Sequence, residues 1–245
     1  MAKKTTKKKT AKAKRGKAAK RLPLWRLLLR RIVRYTLIAF GVILLIIASG
    51  AIINPPTTPY MISESRRLGG VDRDWAAYED IAPIMGRAAV AAEDANYCLH
   101  WGLDTQAIRN ALEEGGARGG STISQQVVKN VFLWHGRSYT RKALEALITP
   151  FVELTWSKRR ILEVYLNIAE FDEGVFGVEA AARHYFGVGA GELTRTQAAR
   201  LAAILPDPKG RSASRPSTFV QNRARQILAG ADTIAADGRA ECFES

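Results

Sequence analysis

Three short stretches of this 245-residue chain carry residues whose types and spacing can do chemistry. Gly119 to Asn130, GGSTISQQVVKN, joins a flexible turn to a capped helix start and a polar face that core packing does not require. Gly119 and Gly120 open backbone geometries closed to other residues, and Ser121 or Thr122 can cap the helix that follows. Gln125, Gln126 and Lys129 then stand at i, i+1 and i+4, with Gln125 and Lys129 on one face. A helix N-terminus offers free N–H groups and positive partial charge, which suits an anion or a polar sugar; a plain surface helix after a glycine turn accounts for the same residues. Upstream, Glu93 and Asp94 follow the largely apolar run from Ala88 to Ala92, a setting that raises a carboxyl pKa. Downstream, Arg137, Arg141, Lys142 and Glu145 crowd together, with Arg141 and Glu145 one helical turn apart. Taken alone, that pair also fits a solvated helix, where it contributes only tenths of a kcal/mol.

The elements that must position these groups read as mainly α. Periodicity and caps predict helices around Ala76–Tyr97, Asp104–Glu113, Thr122–Leu133, Thr140–Thr155, Lys158–Ala169, Val178–Tyr185, Arg195–Ala203 and Ser217–Ala229. Few segments alternate as strands do. Pro150 predicts a kink or a break within its helix. Residues 1–34 hold 15 Lys and Arg and no acid, which more than accounts for the net charge of +14. Such a tail resembles histone tails in composition, but residues 35–53 are uncharged and mostly apolar, long enough to nearly cross a hydrocarbon core of about 30 Å. The expectation is a transmembrane helix with Trp25 at the interface and the basic tail in the cytoplasm. A cleavable signal peptide is the rival reading, with Ser49, Gly50 and Ala51 small enough for cleavage, against an apolar run longer than usual. Asn54 to Tyr60, with its prolines, reads as an extended linker.

Read together, the blocks resemble one family, the peptidoglycan glycosyltransferases that polymerise lipid II. The residues that carry the resemblance are Glu93, Asp94, Tyr97, His100 and Gly102; GGSTISQQ with Lys129 and Asn130; RKALE, Arg141 to Glu145; ILEVYLN, Ile161 to Asn167; and TQAARLAAILPDPKGRSASRP. They cover roughly Trp75 to Pro216. Tyr97 stands where Phe is usual, and Ser214 to Pro216 follows the closing pattern only loosely. FLWHGRSYTRK and YLNIAEFDEGVFGVEAAARHYFG resemble the monofunctional biosynthetic members, and neither a Ser-x-x-Lys nor a KTG motif marks a penicillin-binding acylation site.

The resemblance implies a lysozyme-like two-lobed glycosyltransferase domain over residues 75–245, with a membrane-facing hydrophobic subdomain, preceded by a linker and membrane-proximal segment at 54–74. It implies Glu93 as general base and Glu145 as the second carboxylate, which orients cations or holds a divalent ion or water on the diphosphate. Lys129, Arg137, Arg141 and Lys142 would hold the substrate diphosphate, and Ser121, Thr122, Gln125 and Asp94 would position substrate, Asp94 chiefly by bonding its loop. Glu163 and Asn167 are expected to stabilise the helix beneath the cleft. No cofactor is expected to be required, with a divalent cation such as Mg as the alternative. The expected partners are lipid II, the nascent glycan strand, the inner membrane and proteins of wall synthesis or division, with no nucleic acid. The expected location is the inner membrane, single-pass, with the catalytic domain periplasmic. His100 is expected to be structural, and His135 and His184 ordinary. Cys98 and Cys242 are free to pair by compartment, but nothing in their spacing indicates it. Two rival readings are a lytic enzyme on the same polymer, which meets no diphosphate, and a membrane-tethered scaffold for wall precursors or DNA.

Overall fold

The computed structural model describes residues 24–106, 109, 120–136 and 138–244. The expected helix over Asp104–Glu113 falls largely outside them, as do Gly119 and Arg137. The chain divides into two compact units, Met1–Ile43 and Leu44–Ser245. In the first, α1 (Leu24–Ser49) begins and its large apolar side chains are exposed. Its stretch Trp25–Ser49 has a mean hydropathy of 2.3 and is long and apolar enough to cross a membrane. The helix starts earlier and stops earlier than the expected 35–53. Loss of charge marks where lipid begins, whereas a helix runs until something breaks it; nothing between Leu24 and Arg34 does, and Gly50 with Pro55 and Pro56 ends it.

The second unit is mainly α, as predicted. The expected extended linker instead leads directly into α2 (Pro59–Leu68), which Thr58 caps and Gly69 closes in the left-handed conformation, φ 78°. Pro59 occupies the first turn, where its missing N–H costs nothing, so proline here starts a helix. The predicted single helix over Ala76–Tyr97 is a 3₁₀ turn at Tyr78–Asp80, then α3 (Pro83–Glu93), then a second 3₁₀ turn at Tyr97–Leu99. Proline again sets the start. Further along the described residues come α4 (Ile123–Phe132), α5 (Tyr139–Thr155), α6 (Lys158–Ile168), α7 (Val178–Phe186), α8 (Arg195–Ile204), α9 (Thr218–Ala236) and α10 (Glu241–Glu244). α5 continues through Pro150, so of the predicted kink or break the break is absent.

Three strands escaped the sequence reading because two or three residues are too few to show alternation: β1 (Asp72–Arg73), β2 (Glu170–Asp172) and β3 (Val175–Phe176). They form a sheet in the order β1-β3-β2, with Asp72 opposite Val175 in parallel and Glu170 opposite Phe176 antiparallel.

Two helix groups build the core. α3, α8 and α9 pack together through small buried residues, among them Ala88, Ala89, Ala199, Ala202 and Ala231, which let backbones approach closely. α4 packs on α5 and α6 through Ile123, Val127, Val152 and Ile161, all fully buried. Asn167 on α6 ties in the preceding loop: its Nδ2 donates to the Ala76 carbonyl at 2.9 Å and its Oδ1 accepts from the Ala76 N–H at 2.8 Å. Glu163 pairs with Arg160 at 2.9 Å, so both residues have the structural role expected of them. Cys98 and Cys242 form a disulfide, Cα–Cα 5.7 Å, that joins the turn after α3 to α10. Their sequence separation of 144 hid that pairing from the sequence.

Candidate active site

Glu93 is the last residue of α3, placed there because Asp94 leaves the helical conformation at φ −159°. One Glu93 oxygen, Oε2, accepts a hydrogen bond from Gln126 Nε2 at 2.8 Å. Burial raises the Glu93 pKa; the Gln126 bond, Arg223 and Lys129 pull it down less, and Asp94 adds to the rise. The apolar run before Glu93 thus has the effect read from the sequence.

Asp94 is buried and fully engaged. Its Oδ1 meets His100 Nε2 at 2.8 Å and its Oδ2 accepts from the Ile123 N–H at 3.0 Å, at the start of α4. A carboxylate on a helix N-terminus is favourable by charge and by hydrogen bonding. The anion-holding property expected of this N-terminus therefore serves the protein's own side chain, and that bond fixes Glu93 against α4. His100 has the structural role expected of it. Asp94, His100 and Asp104 each bring a ligand atom within 4.8 Å of the others, which makes them the group of metal-ligand type among the described residues. Asp104 also accepts from Asn96 Nδ2 at 3.1 Å, so the carboxylates of this group are occupied within the protein.

Thr122 and Gln125 correct the sequence reading. Both are buried and form a reciprocal capping box: Gln125 N–H donates to Thr122 Oγ1 and Thr122 N–H donates to Gln125 Oε1, each at 3.2 Å. Thr122 Oγ1 also donates to the Gly102 carbonyl at 2.6 Å. Their polar atoms turn inward, away from the substrate-facing position expected. The outward face of α4 is instead Gln126, Lys129 and Asn130, at i, i+3 and i+4. Spacing alone cannot set helical phase, and the capping box sets it here.

Glu145 on α5 is 2% exposed, so it is no solvated surface pair. Its Oε2 accepts from Arg141 Nη1 at 2.6 Å and its Oε1 accepts from Lys142 Nζ. Lys142 also donates to Ser121 Oγ at 2.8 Å, and Arg141 Nε donates to the Gly136 carbonyl at 2.9 Å. Both oxygens of Glu145 thus hold cations in place, and Ser121 is brought into the same group. Burial lowers the Lys129 pKa; Glu145 raises it, and Arg141 and Lys142 lower it further.

A cavity of ≈350 Å³ lies along the outward face of α4, lined by Gln126, Lys129, Asn130, Tyr60, His135 and Lys209 among others. The last three were not read as site residues. Tyr60 stacks on His135 at 3.6 Å between ring centroids and donates its hydroxyl to Glu170 Oε2 at 2.6 Å; burial and Glu170 raise its pKa to about 12. Burial and the cations Lys129 and Arg141 push His135 down to about 4, which keeps it neutral at physiological pH. Lys209 donates to Glu64 Oε2 at 2.9 Å, and Glu64 falls to about 2 through its bonds to Arg67 and Lys209. The Asn130 Oδ1 atom is buried with no hydrogen-bond partner among the described residues. Asn130, His135 and Lys209 lay within quoted motif blocks, though only the block around Asn130 was read for chemistry, and Tyr60 lay outside them; they come from α2, α4, the turn after α4 and the turn after α8, and meet only through tertiary packing.

The arrangement is thus one desolvated carboxyl at the end of α3 and a row of cations around a second carboxyl on α5, with a polar cavity along the helix between them in the chain. The sequence profile of the family described as Transglycosylase matches residues 61–232, which contain both carboxyls, their cations and the cavity lining apart from Tyr60. The chain belongs to that family. It is 59% identical over 208 residues to a biosynthetic peptidoglycan transglycosylase of Jannaschia sp. (strain CCS1), covering 84% of this chain and 87% of the relative. It is 44% identical over 225 residues to the protein of that name from Caulobacter vibrioides, covering 87% and 97%. To that from Pseudomonas fluorescens it is 51% identical over 197 residues, covering 74% and 82%. As a member, the chain is a peptidoglycan glycosyltransferase with a lysozyme-like, mainly helical domain, and its activity is glycan polymerisation in cell-wall synthesis. In this transglycosylase, Gln126 and Lys129 line the cavity, Gln126 bonds Glu93, and Ser121, Arg141 and Lys142 gather around Glu145, while Asp94, Thr122 and Gln125 are bonded within the protein.

Proposed function

We propose that this transglycosylase polymerises lipid II, with Glu93 as general base and inversion at the anomeric carbon. The observation that carries the reading is the Glu93 carboxyl, desolvated and bonded to a neutral amide, in one site with cations organised by Glu145. The acceptor is a sugar 4-hydroxyl, a poor nucleophile, so a base matters more than an acid. Glu93 takes the hydroxyl proton as the oxygen attacks the anomeric carbon from the face opposite the lipid diphosphate. The new C–O bond forms as the old one breaks, and undecaprenyl diphosphate leaves with the bonding pair. Lys129, Arg141 and Lys142, with Arg137 by resemblance, offset the charge growing on that diphosphate. Glu145 orients two of these cations; on this reading no cofactor is required, with a divalent cation such as Mg on the diphosphate as the alternative.

The membrane supplies the lipid substrate. α1 anchors the chain in the inner membrane, its basic N-terminal tail in the cytoplasm against anionic lipid and the catalytic domain in the periplasm. Leu144, Leu147 and Leu154 are exposed on one face of α5, at helical spacing, and suit a lipid-facing surface. The chain carries out no transpeptidation, and its tail needs no nucleic acid as partner. Purified protein given lipid II should release glycan strands and undecaprenyl diphosphate, unchanged by EDTA. Cleavage of finished glycan with no extension of lipid II would sink this reading in favour of a lytic enzyme.

A further inference from the structure

A second cavity, ≈310 Å³, shares Lys209 with the first. It is lined by Lys209, Arg211, Ser212, Ser214 and Arg215, in the segment whose end departs from the family's closing pattern. Its charges have unequal freedom. Lys209 is held by Glu64, and Arg211 donates to the Ala203 carbonyl at 3.1 Å with its guanidinium 4.9 Å from the Phe219 ring centroid. The one lining carboxylate, Asp172, already accepts from Tyr185 at 2.9 Å and meets His184 at 3.1 Å. Arg215 is different: its side chain is exposed and meets no carboxylate among the described residues, while its backbone N–H donates to Ser212 Oγ at 3.2 Å. The Ser212 and Ser214 hydroxyls lie 3.4 Å apart beside it.

A planar guanidinium with two hydroxyls, in a pocket whose own acid is occupied, matches a carboxylate: two parallel N–H···O bonds and a hydroxyl donor. We propose that this cavity binds the free carboxylate of the peptide branches that a peptidoglycan carries, with Arg215 as the principal contact and Ser214 as the second. Sugar hydroxyls are neutral and need no such cation. The lipid diphosphate has its own cations at the Glu145 end, on the proposed function, on which this inference rests for its substrate. Because Lys209 is shared, a strand lying in the first cavity brings a peptide branch to the second.

The test uses the full chain in detergent and soluble disaccharide-peptide fragments of peptidoglycan, with the peptide C-terminus either free or amidated. Calorimetric titration should show the free-acid fragment binding about tenfold tighter than the amide, the size of one good charge-assisted bond. Arg215→Ala should erase that preference, Ser214→Ala should reduce it, and Arg215→Lys should keep part of it. With lipid II as substrate, Arg215→Ala should raise KM several-fold and leave kcat unchanged. Equal binding of acid and amide by the native chain would overturn the proposal, and so would a preference that survives Arg215→Ala. Displacement of the fragment by inorganic diphosphate at matching concentration would reassign the cavity to phosphate. Binding is read without turnover, so a protein that binds the acid fragment but fails to polymerise lipid II would sink the proposed function and leave the carboxylate site standing.

Discussion

Glu93 and Glu145 are the same side chain in opposite surroundings. Glu93 has an apolar approach and one neutral donor, the Gln126 amide, so burial raises its pKa. Glu145 is 2% exposed but accepts from two cations, Arg141 and Lys142. Burial with a neutral partner makes a carboxyl ready to take a proton; burial with two cations makes it a fixed point that holds positive charge where a diphosphate needs it. The contrast gives a physical ground for the two roles that the resemblance implied and that we propose, one a base and the other a holder of cations.

The largest effect should come from removing the proton acceptor. Glu93→Gln should lower the polymerisation rate by roughly 10²–10⁴-fold, the range for a lost general base. The same variant should melt no lower at neutral pH. A carboxyl whose folded pKa lies above its unfolded value contributes stability that is present below the unfolded pKa and lost as pH rises through the folded one. At neutral pH the charged Glu93 is therefore a burden on the fold, and Gln removes it. A variant that is inactive and equally stable keeps the contrast; one that unfolds breaks it.

Next in size is Arg141→Ala, which leaves Glu145 buried with one cation fewer and should cost on the order of 1–3 kcal/mol in thermal unfolding. Its KM for lipid II should rise as well, and loss of stability without loss of substrate affinity would reduce Glu145 to a structural role. The smallest effect is a shift. Activity needs Glu93 deprotonated, so kcat/KM should fall as pH drops through its raised pKa, and Gln126→Ala, which deletes a bond that lowers that pKa, should move this acid limb upward. A profile unmoved by the Gln126 change would mean the amide does not act on the reacting group.

The motif residues were legible because their chemistry is local: Ser, Thr and Gln after two glycines do start a helix within a residue of the expected position, and Glu145 does pair with Arg141. Whether a group faces inward was not legible. Gln125 and Gln126 are adjacent and identical, yet one is spent on the cap and the other bonds Glu93. Tyr60, His135 and Lys209 were missed for a different reason. They come from three separated segments, one of them read as an extended linker, and nothing local to any of them signals the others.

The boundary of the membrane helix bears on how a working fragment would be cut. Trp156 Nε1 donates to the Ile47 carbonyl at 2.7 Å, Arg160 Nε donates to the Gly50 carbonyl at 3.1 Å, and Ile47 is 3% exposed. The last turn of α1 is therefore part of the floor of the catalytic domain. A fragment starting at Asn54, where the sequence alone would place the scissors, strips the acceptors from an indole and a guanidinium and uncovers an apolar seat. One starting at Leu44 carries its own lid for that seat.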